Sequence, residues 1–381
     1  MGRFRGVELD GLELNGDRLH LRPWRFADVE RLLSIMQNSS MRQFLALPDP
    51  YSFQDAIDFA TRISVEARQS GAALECAVVE RSSGRLVGAA TLRLTGDPEL
   101  GYWISPDARG HGYAAEASLV LSNWGFGLGV RRVRLASDVR NLASVRTALA
   151  AGFRFEGVGR DGVSGGGTGS VPERRGDLAR FARLTGDPAG PIPPAFAPLP
   201  AGGLDDGVLR LRTTRADDAI ALAETDDELT LRWGFTGRAH TAAEVRSNAA
   251  QAGLQWLVGS VAVLSMVDVG TGRVAGLLRL RHAGPPQVGG IGYVVHPDFR
   301  GRGYTTRALR LLIPWAFGAA DFARLELGAK VGNQASLRAA AAAGFEPDGV
   351  RRCRLRNPDG TFSDEIRYAL LNPRYARDPG R

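Results

Sequence analysis

The sequence predicts a duplicated α/β (α+β) protein: two copies of one domain, each a central sheet flanked by helices. Three observations carry this. Residues 101–112 read Gly-Tyr-Trp-Ile-Ser-Pro-Asp-Ala-Arg-Gly-His-Gly, and residues 292–303 read Gly-Tyr-Val-Val-His-Pro-Asp-Phe-Arg-Gly-Arg-Gly. The offset between copies holds at 191 from Tyr102/Tyr293 to Arg109/Arg300, and at 192 from Asn141/Asn333 to Gly152/Gly344. Finally, strand-like and helix-like segments follow each other in the same order in both copies. The period far exceeds the ~20–50 residues of a solenoid repeat, so this is a duplicated domain.

The elements follow from local pattern. Residues 18–25 alternate as a first strand, and Phe26-Ala-Asp28 opens a helix reaching about Gln37. Ser52 can cap a second helix running to about Gln69. Residues 74–80 and 86–94 are apolar strands joined by the hairpin signature Arg81-Ser-Ser-Gly-Arg85. Residues 99–104 form a fourth strand, 113–128 a third helix, 131–138 a strand and 141–151 a fourth helix. A final pair of strands, 153–159 and 177–184, surrounds a glycine-rich tip at Ser164–Ser170. The second copy repeats this from Val208 to Leu370, with Asn357-Pro-Asp-Gly360 as its last turn. Between the copies, residues 185–206 carry six prolines, which predicts a semi-extended linker. The expected domains are therefore 1–184 and 207–381.

Each copy carries the makings of an anion cradle. Pro106 and Pro297 stop a strand, and the chain then runs Arg-Gly-x-Gly-Tyr into a helix. Unpaired amides at a helix start favour an anion. The candidates are Arg109, Gly110, His111, Gly112, Tyr113 and Ala114, and in the second copy Arg300, Gly301, Arg302, Gly303, Tyr304 and Thr305. Arg109 and Arg300 add forked cations suited to phosphate. A glycine-rich turn that merely starts a helix looks the same in one copy, and recurrence in one context favours the cradle. Gly125, Gly127 and Gly129 end a helix rather than open one, so they are not a dinucleotide fingerprint.

Composition narrows the class. No apolar run approaches the ~18–20 residues of a membrane span. The start, Met1-Gly-Arg-Phe-Arg, lacks a signal-peptide apolar segment. Cys76 and Cys353 fall in different copies, with neither metal spacing nor a disulfide framework, and a reduced, cytoplasmic setting is expected. The net charge of +7 could suit nucleic acid, but the basic residues are spread along the chain. Lys330 is the one lysine among 48 basic residues.

The run Arg109-x-x-Gly112-x-Ala114 resembles the acetyl-CoA-binding motif, R/Q-x-x-G-x-G/A, of Gcn5-related N-acetyltransferases (GNAT). Glu99-Leu-Gly-Tyr-Trp, Tyr113-Ala-Ala-Glu-Ala and Asn141-x-x-Ser144…Ala151-Gly-Phe153 are similar to its ribosomal-protein N-terminal acetyltransferase branch. The resemblance covers residues 18–160 and 207–371. It implies two domains with mixed, mostly antiparallel sheets, and acetyl-CoA as donor. It also implies a carboxylate that takes the proton of an amine, an oxyanion donor near Ile104 (Val295 in the second copy), and a hydroxyl that meets the departing thiolate. Glu99 is the matching base and Ser144 the matching acid. Asn141 would orient the pantetheine arm or the substrate, with Asn333 and Ser336 as counterparts. No tyrosine lies between Asn141 and Phe153, which excludes a tyrosine acid from that helix.

Other readings stand beside these. Glu99 also fits a cross-strand partner on a solvated face, and Asn141 and Asn333 also fit helix N-caps. The run Asp226-Asp-Glu228 could draw in a cationic amine or be a solvated loop. In the second copy Gly290, Thr305 and Arg307 replace Glu99, Ala114 and Glu116, so it is expected to keep weakened CoA binding without catalysis. The function expected is acetyl transfer to a small-molecule amine such as an antibiotic, amino sugar or amino-acid derivative. The alternatives are aminoacyl transfer from charged tRNA and a non-catalytic CoA-responsive protein.

Overall fold

The computed structural model describes residues 8–164, 174–259 and 261–375. The expected tip at residues 165–170 lies outside them. The chain divides into two compact units, Met1–Pro193 and Pro194–Arg381.

The first unit runs β1 (Leu14–Asn15), β2 (Leu19–Arg22), α1 (Val29–Met36), α2 (Phe53–Asp58), α3 (Ser64–Gln69), β3 (Ala73–Glu80), β4 (Leu86–Arg93), β5 (Glu99–Ile104), α4 (Tyr113–Gly127), β6 (Arg132–Asp138), α5 (Leu142–Ala150), β7 (Arg154–Ser164) and β8 (Arg174–Leu184). The second runs β9 (Leu204–Asp205), β10 (Leu209–Thr213), α6 (Ala219–Ala223), α7 (Glu228–Trp233), α8 (Ala242–Val258), β11 (Val261–Asp268), β12 (Val274–His282), β13 (Val288–Val295), α9 (Tyr304–Phe317), β14 (Arg324–Lys330), α10 (Gln334–Ala342), β15 (Glu346–Arg356) and β16 (Phe362–Leu371).

Both sheets have eight strands in one topology, β1-β2-β3-β4-β5-β6-β8-β7 and β9-β10-β11-β12-β13-β14-β16-β15. Every pairing is antiparallel except β5 with β6 and β13 with β14. Those two are joined through α4 and α9, and a crossover connection brings strands in parallel. The first parallel ladder pairs Glu99 with Arg134 and Leu100 with Leu135, and β5 then continues past it to Ile104. The second ends at Ile291 and Leu327. Each sheet therefore opens at the carboxyl ends of its two parallel strands, where open α/β sheets form a ligand crevice.

Local chemistry accounts for the boundaries. Ser52 caps α2 as expected, in a reciprocal box with Asp55. The expected helix over 52–69 is not a single α-helix, because residues 59–63 form a wider π turn between α2 and α3. The first strand stops at Arg22, whose guanidinium forks onto Asp28 at 2.7 and 2.8 Å beside the start of α1. Arg212 and Asp218 repeat that fork at 2.7 Å in the second unit. On one sheet face of the first unit Trp24, Val29, Leu32, Tyr51, Ala77 and Ala89 form a core under α1 and α2, with Trp103 packed against it.

The proline-rich segment is pinned at both ends rather than free. Ile192 donates to the Leu149 carbonyl at 2.9 Å, within the first unit. Phe196 is buried against Trp256, and Pro198 accepts from Trp315 Nε1 at 3.1 Å, within the second. Prolines leave this segment without a ladder, so isolated backbone bonds, among them those of Ile192, Ala195 and Phe196, hold it together with the buried Phe196 ring. Among the described residues, no helix is long and apolar enough to cross a membrane, and no group of three His, Cys, Asp or Glu could hold a metal.

Candidate active site

The loop from β5 into α4 has the geometry an anion requires. Gly110 (φ 82°) and Gly112 (φ 77°) adopt the left-handed conformation, as do Gly301 (74°) and Gly303 (75°). Side-chain-bearing residues reach that region only at a cost. Among the described residues, the amides of Gly110 to Ala115 and of Gly301 to Thr306 find no protein acceptor. Those donors converge at the start of a fifteen-residue helix in one unit and a fourteen-residue helix in the other. This fits a diphosphate, and Arg109–Ala114 and Arg300–Thr305 are the residues that would hold one.

The side chains of the cradle divide into supports and free groups. The phenols of Tyr113 and Tyr304 turn inward and donate to the carboxylates of Glu80 and Asp268, so only their amides face a ligand. His111 folds back to within 3.0 Å of the Arg109 carbonyl and stacks on Tyr113. Arg302 lies over Phe299. Arg109 reaches the Ile104 carbonyl at 3.4 Å and makes no ion pair among the described residues. Arg300 reaches the Val295 carbonyl at 3.2 Å, but it is also forked onto Asp227 at 2.6 and 2.8 Å. That fork holds the Asp227 carboxyl well below the ordinary range. Two acids of the run are thus engaged within the unit: Asp227 occupies Arg300 and caps α7, and Asp226 binds His240, while Glu228 is exposed.

Two of the three departures in the second copy have structural explanations. Glu116 accepts from the amides of Arg18 and Leu19 at 2.7 and 3.1 Å and from the Arg18 guanidinium at 2.8 Å, tying α4 to β2. Arg307 instead pairs with Asp206 at 2.8 Å, so the tie between helix and strand survives with its charges exchanged. At Gly290 a side chain would meet Arg281 Nε at 3.0 Å, so the arginine of β12 occupies the space above it. The branched side chain of Thr305 remains the expected source of crowding.

At the far side of the crevice stands the start of α5. Asn141 accepts from the Ser144 amide at 3.2 Å, the capping arrangement, and Asn333 repeats it on Ser336 at 3.2 Å. The Ser144 hydroxyl lies 2.8 Å from the Tyr102 phenol, and Ser336 lies 2.8 Å from Tyr293. No tyrosine comes from the helix, but one comes from β5. Sequence spacing missed it because 42 residues separate the partners. Burial pushes the Tyr102 phenol up to about 12, so it stays protonated.

The sheet face under α1–α3 carries the carboxyls. Glu99 accepts from Arg93 at 3.0 Å on β4 and lies 3.6 Å from Arg134 on β6. The register places all three in one row, so the expected base stands as a cross-strand partner of two guanidiniums. One row nearer the crevice mouth, Glu75, Thr91 and Gly101 are aligned. Glu75 accepts the Thr91 hydroxyl at 2.5 Å and makes no ion pair among the described residues. Burial raises its carboxyl, and Thr91, Arg93 and Arg68 pull it back only in part. Sequence reading passed over Glu75, and the available signal was a carboxyl inside the apolar strand Ala-Leu-Glu-Cys-Ala-Val-Val. Asp138, bound to Arg140 at 2.7 Å, closes β6 on the same face.

The second unit reverses these positions. In matching rows, Val263 stands for Glu75, Arg279 for Thr91 and Gly290 for Glu99, and Lys330 stands for Asp138. Val263 joins a core under α6 and α8. Lys330 is buried and donates to the Arg232 carbonyl at 3.0 Å.

Fold and cradle together define an acyl-CoA-binding transferase. A family model described as "Acetyltransferase (GNAT) domain" matches residues 18–154 and again 209–346. The chain therefore belongs to the GNAT acetyltransferase family, in tandem, and acetyl-CoA is the donor of that class. It is 33% identical over 90 residues to "Probable N-acetyltransferase YjcK" of Bacillus subtilis (strain 168), covering 24% of this chain and 49% of that protein. It is 27% identical over 160 residues to "Uncharacterized N-acetyltransferase YoaA" of the same organism, covering 41% and 90%. The chain thus spans about half the length of the first relative and nine tenths of the second. A solved structure, ribosomal-protein-S5-alanine acetyltransferase from Vibrio fischeri, has a TM-score of 0.41 at 20% identity, covering 45% of this chain and 98% of that one.

Proposed function

We propose that the chain transfers acetyl from acetyl-CoA to the primary amine of a small molecule, and that the first unit performs the transfer. The carrying observation is that the first unit alone joins an intact cradle to a face bearing Glu75, Glu99 and Asp138. When bound, acetyl-CoA supplies a thioester carbonyl open to attack. The amides of Gly110–Ala114 and the unpaired Arg109 hold its diphosphate, and Asn141 and the Ile104 backbone line the crevice beyond.

An amine with a pKa near ~10 arrives protonated and must lose a proton before it attacks. Glu75 suits that task, because its raised carboxyl lies closer to neutrality than an ordinary one and no guanidinium occupies it. Glu99 then helps to make the face acidic and fixes β4, β5 and β6 in register. On the other side, with the Tyr102 phenol as the donor of its 2.8 Å contact to Ser144 Oγ, the Ser144 hydroxyl proton is free to meet the departing sulfur. Cytoplasmic residence fits a donor of this kind.

A second reading follows from a relative named "Putative ribosomal N-acetyltransferase YdaF" (Bacillus subtilis strain 168), 36% identical over 81 residues. In it the acceptor is a protein N-terminus. Acetyl-CoA turnover, followed as released thiol, separates the readings when amino sugars, aminoglycosides and amino-acid amides are run against N-terminal ribosomal peptides. Transfer to peptides alone would replace the small-molecule reading. No transfer to either group would reject both.

A further inference from the structure

We propose that the second unit carries an anion site on the sheet face where the first unit carries its carboxyls, taking a carboxylate or phosphate group of a small molecule. Arg279 and Arg281 are two residues apart on β12, so both side chains stand on that face. Opposite them on β13 are Gly292 and Gly290. In the first unit the matching rows are filled differently: the Thr91 hydroxyl donates to Glu75, and Arg93 pairs with Glu99. In the second unit neither arginine has a hydrogen bond or ion pair among the described residues.

The nearest acids are engaged elsewhere. Asp226 acts on Arg279 only at a distance, since its carboxylate binds the His240 amide and ring. Glu326, in the row of Arg281 and Gly290, is held by Arg324 and Arg367. Two exposed guanidiniums on adjacent same-face positions, with only Arg279 partly offset by Asp226, repel each other, and one anion bridging them relieves that repulsion. The guanidinium fork matches a carboxylate or phosphate edge. The floor is open as well: a side chain at Gly292 would meet nothing within 4 Å, whereas at Gly290 it would meet Arg281 Nε at 3.0 Å. Room for a ligand therefore lies beside the arginines and is not filled by the sheet.

The test uses the full chain with both cradles first saturated with CoA, so that a phosphate probe cannot enter them. Succinate and inorganic phosphate are titrated separately by calorimetry, and which of them binds identifies the group recognised. The expected result is one site per chain at about millimolar affinity or tighter. Arg279→Gln with Arg281→Gln should weaken it at least about tenfold. Gly290→Glu, which restores the acid found in the first unit, should also weaken it. Absence of binding by either probe overturns the proposal, as does unchanged affinity in the folded double variant. If the double variant does not fold, unchanged affinity in folded Gly290→Glu overturns it equally.

Discussion

Above the crevice the two units are near copies. Tyr102 meets Ser144 and Tyr293 meets Ser336 at the same 2.8 Å, and Gly112 and Gly303 share a left-handed φ within 2°. Below it they diverge, since Glu75, Glu99 and Asp138 give way to Val263, Gly290 and Lys330. Cofactor binding depends mainly on backbone amides, which tolerate sequence change as long as the glycines remain. Acceptor chemistry depends on side-chain charge, which a single substitution removes. A duplicated domain can therefore keep one half of its function and exchange the other.

The largest effect should come from closing one cradle at a time. Gly112→Glu places a side chain in a left-handed position and a negative charge at the phosphate site. We expect CoA affinity at the first site to fall by roughly 10²-fold or more. Calorimetry should then resolve only the second site, and two intact sites in the folded variant would reject the cradle. Gly303→Glu should give the mirror result.

Next is the acceptor face. Glu75→Gln should lower turnover by the ~10²–10⁴ expected for a lost general base, with acetyl-CoA affinity unchanged. Glu99→Gln should cost less than about tenfold, because its partners are Arg93 and Arg134. The reverse ranking would return the role of base to Glu99. The same substitution carries a stability signature. Burial raises the Glu75 carboxyl in the folded protein, so the folded form holds its proton more tightly than the unfolded chain. Stability is therefore fullest below the ordinary carboxyl range and declines as pH rises through the raised value. Glu75→Gln should melt higher than the native chain at pH 8, and the gap should close at pH 4. An equal gap at both pH values would contradict this account of Glu75.

A smaller effect separates the two arginines. Asp227→Asn removes the charge that clamps Arg300 while keeping a good helix cap. CoA affinity at the second site should rise by roughly fivefold, about 1 kcal/mol. No change would leave Thr305 as the cause of the weaker site. The exchanged tie reads out in stability rather than in binding. Glu116→Gln loses three charge-assisted contacts and should cost about 1–2 kcal/mol in chemical denaturation. Arg307→Gln, which replaces a side chain 43% exposed where that of Glu116 is 14%, should cost less than ~1 kcal/mol.

Much of the fold was legible because it rests on local pattern. Strand 99–104 was read to the residue, and the ends of α4, β6 and α5 to within one. The cradle was legible because glycines, proline and the helix start are contiguous in sequence. What escaped depends on distant partners. Nothing near Glu99 announces Arg134, and nothing near Ser144 announces Tyr102. The two-residue strands β1 and β9 are too short to show a period. The first unit's carboxyl face was only half visible, since Glu75 becomes a neighbour of the crevice only through strand register. The exchange of charge between Glu116 and Arg307 looked like a loss until Asp206 supplied the partner.

The central claim is that both units hold CoA while the first alone transfers acetyl. It is tested most directly by measuring steady-state transfer to an amine in full-length Gly112→Glu and Gly303→Glu side by side. Gly112→Glu should be inactive, and Gly303→Glu should stay within about twofold of the native chain, because the first unit's acceptor face and cradle are untouched. Activity retained in folded Gly112→Glu and lost in folded Gly303→Glu would show the roles reversed.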